Sequence, residues 1–373
     1  MQVIICQPEI SASPALAPPA GAISTRPCAS RRLDLQTESP APCHGCLESV
    51  DAGQEHASLK PNPSILMKTP TIFGFLCALC GLASSFAQET PKPAPTKLPE
   101  SLIASLEAHP DLTYASYGER ELKLDLFRPK ERGEPLPAIV CIHGGGWFQG
   151  DRSSMTNLAQ ALAARGFVAV TISYRLSGEA KFPAAIQDCK AAVRWLRANA
   201  ADYGIDPAHI AVTGLSAGGH LAALLATSGG VSKLEGEGGN ADLSSAVQAC
   251  VAMGAQSDLE TERIRTLSAA PNNPHYRPFL GGPLDEIPET YALASPRHHL
   301  DKSDPPLVFM AGELDDPSTH ADETRADLEK LGIETGFVIF LKHPMLSGPA
   351  PFDIWPFDYC ARPFFAKHLK PIK

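Results

Sequence analysis

Between residues 114 and 369 the hydrophobic positions of this chain follow two alternating periods. Short, almost uninterrupted apolar runs stand at 137–142, 167–173, 209–213, 247–251, 306–311 and 335–341. Runs of that length, rich in Val, Ile and Ala, predict strands buried on both faces. Two earlier strands are predicted at 114–117 and 122–127, the second stopped by Arg128-Pro129. Between the runs, the pattern predicts helices over 158–165, closed by Gly166, over 182–196, over 219–226, over 321–331, stopped by Gly332, and over 359–369. Residues 203–207, Tyr-Gly-Ile-Asp-Pro, break the second of these helices. Strands that alternate with helices predict the α/β class. The expected architecture is a mostly parallel central sheet of about eight strands with helices on both faces. Residues 259–304 fit neither period and read as an irregular insertion after the strand at 247–251.

The front of the chain has a different texture. Residues 1–66 are rich in Pro, Ala and Ser with little periodicity, which predicts disorder. A new pattern starts at Met67: Lys68 as a positive end, an apolar stretch at 72–82, then Ser85-Phe86-Ala87 with small residues where a signal peptidase cuts. Residues 67–87 therefore read as a secretory signal peptide cleaved after Ala87. If translation begins at Met67, residues 1–66 are no part of the product. The apolar stretch is too short for a stable membrane span. Residues 88–99 read as a Pro/Lys/Thr linker, and the folded domain is expected over 100–373. The expected localisation is secreted or periplasmic.

Export changes the reading of the cysteines. Of the 10, six precede the cleavage site, including Cys43 and Cys46 of a Cys-His-Gly-Cys motif that is given no function; Cys141, Cys189, Cys250 and Cys360 remain. Cys141 and Cys250 lie in strand-like runs and read as core residues. A formal net charge of −9 argues against a nucleic-acid or anionic-membrane partner. The oligomeric state is not legible.

Candidate chemistry gathers at the ends of the apolar runs. The run at 209–213 leads into Gly214-Leu215-Ser216-Ala217-Gly218 and then a helix. Strand, G-x-S-x-G turn and helix make a nucleophile elbow: the tight turn needs small neighbours and lifts the Ser216 hydroxyl clear at a helix N-terminus. The run at 137–142 ends in His143-Gly144-Gly145-Gly146-Trp147. Consecutive glycines let backbone N–H groups face a ligand closely, as in the oxyanion loops of lipases and esterases. The candidate oxyanion donors are the N–H groups of Gly145, Gly146 and Ala217. His143 reads as a loop-shaping residue, and Trp147 either lines the substrate pocket or packs. Asp188, mid-helix, reads as structural.

The motifs H-G-G-G-W, Y-R-L with F-P-A-A-I-Q-D, and D-P-x-x-I-A-V-T-G-x-S-A-G-G-H together resemble the α/β-hydrolase superfamily. Within it they are most similar to the secreted esterase/lipase branch, which includes hormone-sensitive-lipase-like carboxylesterases and bacterial feruloyl or acetylxylan esterases. The resemblance covers roughly 114–369. It implies the α/β-hydrolase fold and a Ser–Asp–His triad in that chain order. The acid lands on Asp315, in Gly-Glu-Leu-Asp after the run at 306–311, with Asp316 as its rival. The base lands on His343, directly after the last strand, although Lys342 stands where the family often has Gly. His298, His299, His320 and His368 are the alternatives.

The expectation is a secreted serine carboxylic-ester hydrolase acting on short-chain acyl esters, with acetyl or feruloyl esters of carbohydrates as the favoured substrates and no metal or organic cofactor. Two alternatives stay open: a serine exopeptidase of the prolyl-oligopeptidase type, weakened by the lack of a propeller-length N-terminal region, and a non-catalytic binding protein on the same fold.

Overall fold

All seven residues of the run Leu136–Ile142 are buried, and its alternate side chains serve two different cores. Ala138, Val140 and Ile142 join Ile172, Val212 and the helices Ala184–Ala198 and Ala217–Thr227 in one apolar cluster. Ile139 and Cys141 join Met155, Leu158, Leu162, Ala361 and Phe365 in the other. This is the physical content of an unbroken apolar run: with period-2 side chains and a helical layer on each face, both sets of positions favour apolar residues.

A computed structural model describes residues 3–6, 98–131, 133–340 and 354–369, with the backbone alone at 3–6 and 354–360. All of them belong to one compact unit. The strands are β1 (Val3–Cys6), β2 (Leu106–Tyr117), β3 (Arg120–Pro129), β4 (Leu136–Ile142), β5 (Val168–Ile172), β6 (Ile205–Leu215), β7 (Ala249–Met253), β8 (Leu307–Gly312) and β9 (Thr335–Phe340). They form one sheet in the order β1-β9-β8-β7-β6-β4-β5-β3-β2. Every pairing from β1 to β5 is parallel; β3 pairs antiparallel with both β5 and β2. The strand after Gly204 thus lies at the centre, between β4 and β7, which puts the Ser216 turn in the middle of the sheet's C-terminal edge.

Two expectations are corrected. The expected mostly parallel sheet of about eight strands is present, with the short β1 added at the β9 edge, where Val3–Cys6 pairs in parallel with Phe337–Phe340; those four residues, Val-Ile-Ile-Cys, form a strand where disorder was expected. Leu98, just before the expected start of the domain, is buried against Ala161. The stretch 259–304 is not irregular: it contains helices Glu262–Ala269, Tyr276–Leu280 and Pro288–Ala294 and the 3₁₀ turn Pro296–His299. The first is capped by the Thr261 hydroxyl, which accepts from the Ile264 N–H, and the third opens on Pro288.

The signal-peptide reading at 67–87, most of the linker reading and the rest of 1–66 lie outside the described residues. Among the described residues, no helix is long and apolar enough to cross a membrane, and Cys141, Cys189 and Cys250 are buried free thiols.

Candidate active site

Ser216 occupies the turn between β6 and helix Ala217–Thr227 with φ 55° and ψ −118°. A non-glycine residue held there stores strain of about 1–3 kcal/mol, so the surroundings must over-determine it. They do. The Ser216 N–H donates to the Met253 carbonyl of β7 at 2.8 Å, and its carbonyl accepts the His220 N–H at 2.9 Å. The small residues around it have no room to be larger. A Cβ on Gly214 would stand 2.2 Å from the Gly218 carbonyl oxygen, and one on Gly218 would stand 2.2 Å from the carbonyl oxygen of Ile142. Among the described residues, the Ser216 hydroxyl makes no hydrogen bond.

The loop that leaves β4 lies directly against this turn: a Cβ on Gly144 would come within 3.3 Å of the Ser216 Cβ. Gly145, Gly146 and Trp147 follow with φ of 116°, 59° and 65°. Such a run turns successive N–H groups toward one side, as in an anion-binding nest. Among the described residues no acceptor takes the N–H of Gly145, Gly146 or Ala217. The Ala217 N–H is the first of its helix and has no intrahelical partner to take. An anion at that point would meet N–H donors and the positive end of a helix. His143 anchors the loop as expected: its ring stacks on Tyr174 at 4.3 Å, and its Nδ1 hydrogen-bonds the Gly144 carbonyl oxygen at 2.7 Å. Burial holds its pKa below the ordinary histidine value.

Trp147 packs. It is 4% exposed, stacked on Phe279 at 4.6 Å and 6° and edge-on to His220. Helix Tyr276–Leu280 of the insertion, through Phe279, covers the ring. The solvent-facing aromatic of the loop is its neighbour Phe148, tilted against His275.

The two carboxylates after β8 differ in their commitments. Asp315 is 8% exposed, and its Oδ2 accepts the Gly312 N–H at 2.8 Å. Asp316 spends both oxygens elsewhere: Oδ2 takes Arg263 at 2.6 Å, and Oδ1 takes the N–H and hydroxyl of Ser318. His343 lies outside the described residues. The strand before it, β9, ends at Phe340, which pairs with Gly312 at the end of β8, and the Phe340 carbonyl accepts the Glu313 N–H. The rival histidines have other partners. His298 sits by Glu260, His299 bonds the Leu293 carbonyl, His320 the Gly312 carbonyl, and His368 packs on Phe364 near Glu334.

Two neighbours of the site went unread in the sequence. His220 is fully buried one turn after Ser216, signalled only by the last letter of G-x-S-A-G-G-H. His275 places Nδ1 where a Cβ of Gly146 would be, at 2.5 Å; no sequence signal marks it. Asp188 is structural as expected, fully buried and clamped by Arg175 through its guanidinium and its own N–H.

Comparisons with known proteins agree with this architecture. Residues 124–327 match the BD-FAE family. Esterase LipQ of Mycobacterium tuberculosis is 33% identical over 230 residues, 60% of this chain and 53% of that protein. The chain spans about half the length of LipQ and of esterase LipC of the same organism. Among solved structures, a truncated carbohydrate esterase from gut microbiota superposes with a TM-score of 0.62 at 30% identity, covering 71% of this chain and 96% of that one. The propionate-bound Est2 esterase of Thermogutta terrifontis gives 0.59 at 26% identity, covering 72% and 97%. The chain belongs to the BD-FAE family, on an α/β-hydrolase fold.

Proposed function

We propose that this protein is an exported serine carboxylic-ester hydrolase for short-chain acyl esters, with acetyl and feruloyl esters of carbohydrates as its substrate class. The observation that carries the reading is the strained Ser216, whose hydroxyl has no hydrogen bond among the described residues, beside three N–H groups that have no acceptor there. Similarity to proteins named esterases and to a carbohydrate esterase supports the ester and the sugar, respectively.

In this reading Ser216 Oγ attacks the ester carbonyl carbon while His343 takes its proton. The carbonyl oxygen, now an oxyanion, is held by the N–H groups of Gly145, Gly146 and Ala217, each worth about 3–4 kcal/mol in the transition state. His343 then protonates the leaving alcohol, and Asp315 orients the imidazole and stabilises its charged form. Water, deprotonated by the same base, releases the acid and restores the serine. Export rests on the sequence of 67–87.

The test is hydrolysis of p-nitrophenyl acetate, butyrate and longer esters by the full chain beside Ser216→Ala, followed by acetylated and feruloylated oligosaccharides. Short-chain turnover that vanishes in the variant is expected. A folded protein that hydrolyses none of these esters overturns the reading. A mature N-terminus at Gln88 in the medium or periplasm is expected; retention of the whole chain in the cytosol overturns export.

A further inference from the structure

The His220 ring joins three segments that are far apart in sequence. Its Nδ1 accepts the indole N–H of Trp147 at 3.2 Å, and its Nε2 meets the Ala294 carbonyl oxygen at 2.8 Å. An indole nitrogen only donates and a carbonyl only accepts. The partners therefore fix the tautomer: neutral imidazole with the proton on Nε2. The backbone of the same residue donates to the Ser216 carbonyl. One side chain thus ties the oxyanion loop after β4 to the nucleophile helix after β6 and to the end of helix Pro288–Ala294 after β7.

The loop has reason to need the tie. Trp147 is a bulky residue at φ 65°, a conformation that costs energy for anything but glycine. It directly follows Gly145 and Gly146, whose flexibility lets their N–H groups aim in many directions. The turn is otherwise closed by the Phe148 and Gln149 N–H groups on the Gly145 carbonyl and by the Ser177 N–H on the Trp147 carbonyl. The ring stacking on Phe279 fixes the plane of the indole but not its position along that plane.

We propose that His220 is a positioning residue that holds the oxyanion donors of Gly145 and Gly146 in register with Ser216 through its hydrogen bond from Trp147. This rests on the esterase reading of the site. His220 touches neither substrate nor reacting atoms; it acts through the loop.

Stereochemistry supplies a discriminating pair of variants. The oxygen of Asn stands two bonds from Cβ, as Nδ1 does, so His220→Asn keeps an acceptor for Trp147 and loses the bond to Ala294. The amide nitrogen of Gln stands three bonds away, as Nε2 does, so His220→Gln keeps the donor to Ala294 and loses the Trp147 bond. Trp147→Phe removes only the indole donor and keeps the stack on Phe279. Steady-state kinetics with p-nitrophenyl acetate and the affinity of a trifluoromethyl ketone, which forms an oxyanion on the serine, read the outcome. The expected result is that His220→Gln and Trp147→Phe lower kcat by about 10²-fold, the scale of one lost oxyanion donor. Their KM stays within about twofold, their ketone affinity falls in step with kcat, and His220→Asn stays within a few-fold of the parent. Equal losses in the Asn and Gln variants, or a rise in KM with kcat unchanged, overturn the proposal. Hydrolysis that survives Ser216→Ala would instead overturn the reading of Ser216 as nucleophile, on which this proposal rests.

Discussion

Gly218 rests on the carbonyl of Ile142, so the nucleophile helix and the last residue of β4 meet backbone to backbone. In an open helix, Gly→Ala gains up to about 1 kcal/mol of propensity. Here the added methyl would meet the Ile142 oxygen at 2.2 Å and the His143 oxygen at 2.5 Å. Neither atom can swing away as a flexible side chain would, and overpacking costs of about 1–3 kcal/mol outweigh the gain. Gly218→Ala is expected to lower the thermal midpoint and, by pushing the loop after β4, to lower kcat in the molecules that remain folded. Gly229→Ala is the control: nothing lies within 4 Å of its Cβ position, and its thermal midpoint and kcat should match the parent.

The backbone of Ser216 should be a source of instability that function retains. Glycine adopts φ near 55° without the Cβ penalty. Ser216→Gly is expected to be more stable than Ser216→Ala by about 1 kcal/mol, even after the greater entropy of glycine in the unfolded chain is counted. Urea midpoints of the two inactive variants decide the matter; an alanine variant equal to or above the glycine variant would show that the turn is unstrained.

Asp315 and Asp316 are separable by mutation. Asp315→Asn is expected to lower kcat by about 10⁴-fold, as for the acid of a serine triad, with little change in stability. Asp316→Asn breaks a partly exposed pair with Arg263, worth about 1 kcal/mol or less, and should leave kcat within a few-fold. The reverse pattern would move the acid to Asp316.

His220 makes stability depend on pH in a definite window. Burial lowers its pKa to about 4, below the ordinary histidine value of about 6.5 that applies in the unfolded chain. Between these values the unfolded state binds more protons, so stability rises with pH. The contribution is complete above about 6.5, is lost as pH falls toward about 4, and is flat below that, for a total on the order of 3 kcal/mol. Urea unfolding of the parent and of His220→Asn from pH 4 to 7 should show a steeper fall in the parent. Parallel curves would mean that the ring charges freely in place.

The legible parts of the structure were those that local physics forces. A strand covered on both faces is mostly apolar, so β4 to β9 stood out, and the turn at Ser216 announced itself because Gly214 and Gly218 have backbone atoms where a side chain would go. Trp147 was undecidable because the residue that covers it, Phe279, lies in another segment. Helices Tyr276–Leu280 and Pro288–Ala294 were missed because elements of one or two turns carry too few positions for a helical period to show and depend on tertiary packing. His220 hid in a helix buried on every side, where a ring that bridges two polar partners looks like one more core residue. Val3–Cys6 pairs with a strand at the far end of the chain, which no local pattern around it could reveal.

The strand order also sets a schedule. β6 lies between β4, made earlier, and β7, made later, so the serine turn leaves the ribosome with only one of its two walls. Its N–H waits for Met253 as acceptor, and Asp315 follows one strand later still. Synthesis and folding run from the N-terminus. A nascent chain that ends short of β8 therefore carries the serine turn with its Met253 acceptor in place but still lacks Asp315. In the proposed reading, ester cleavage waits for the strand that carries Asp315, so activity in a growing chain would report the docking of β8.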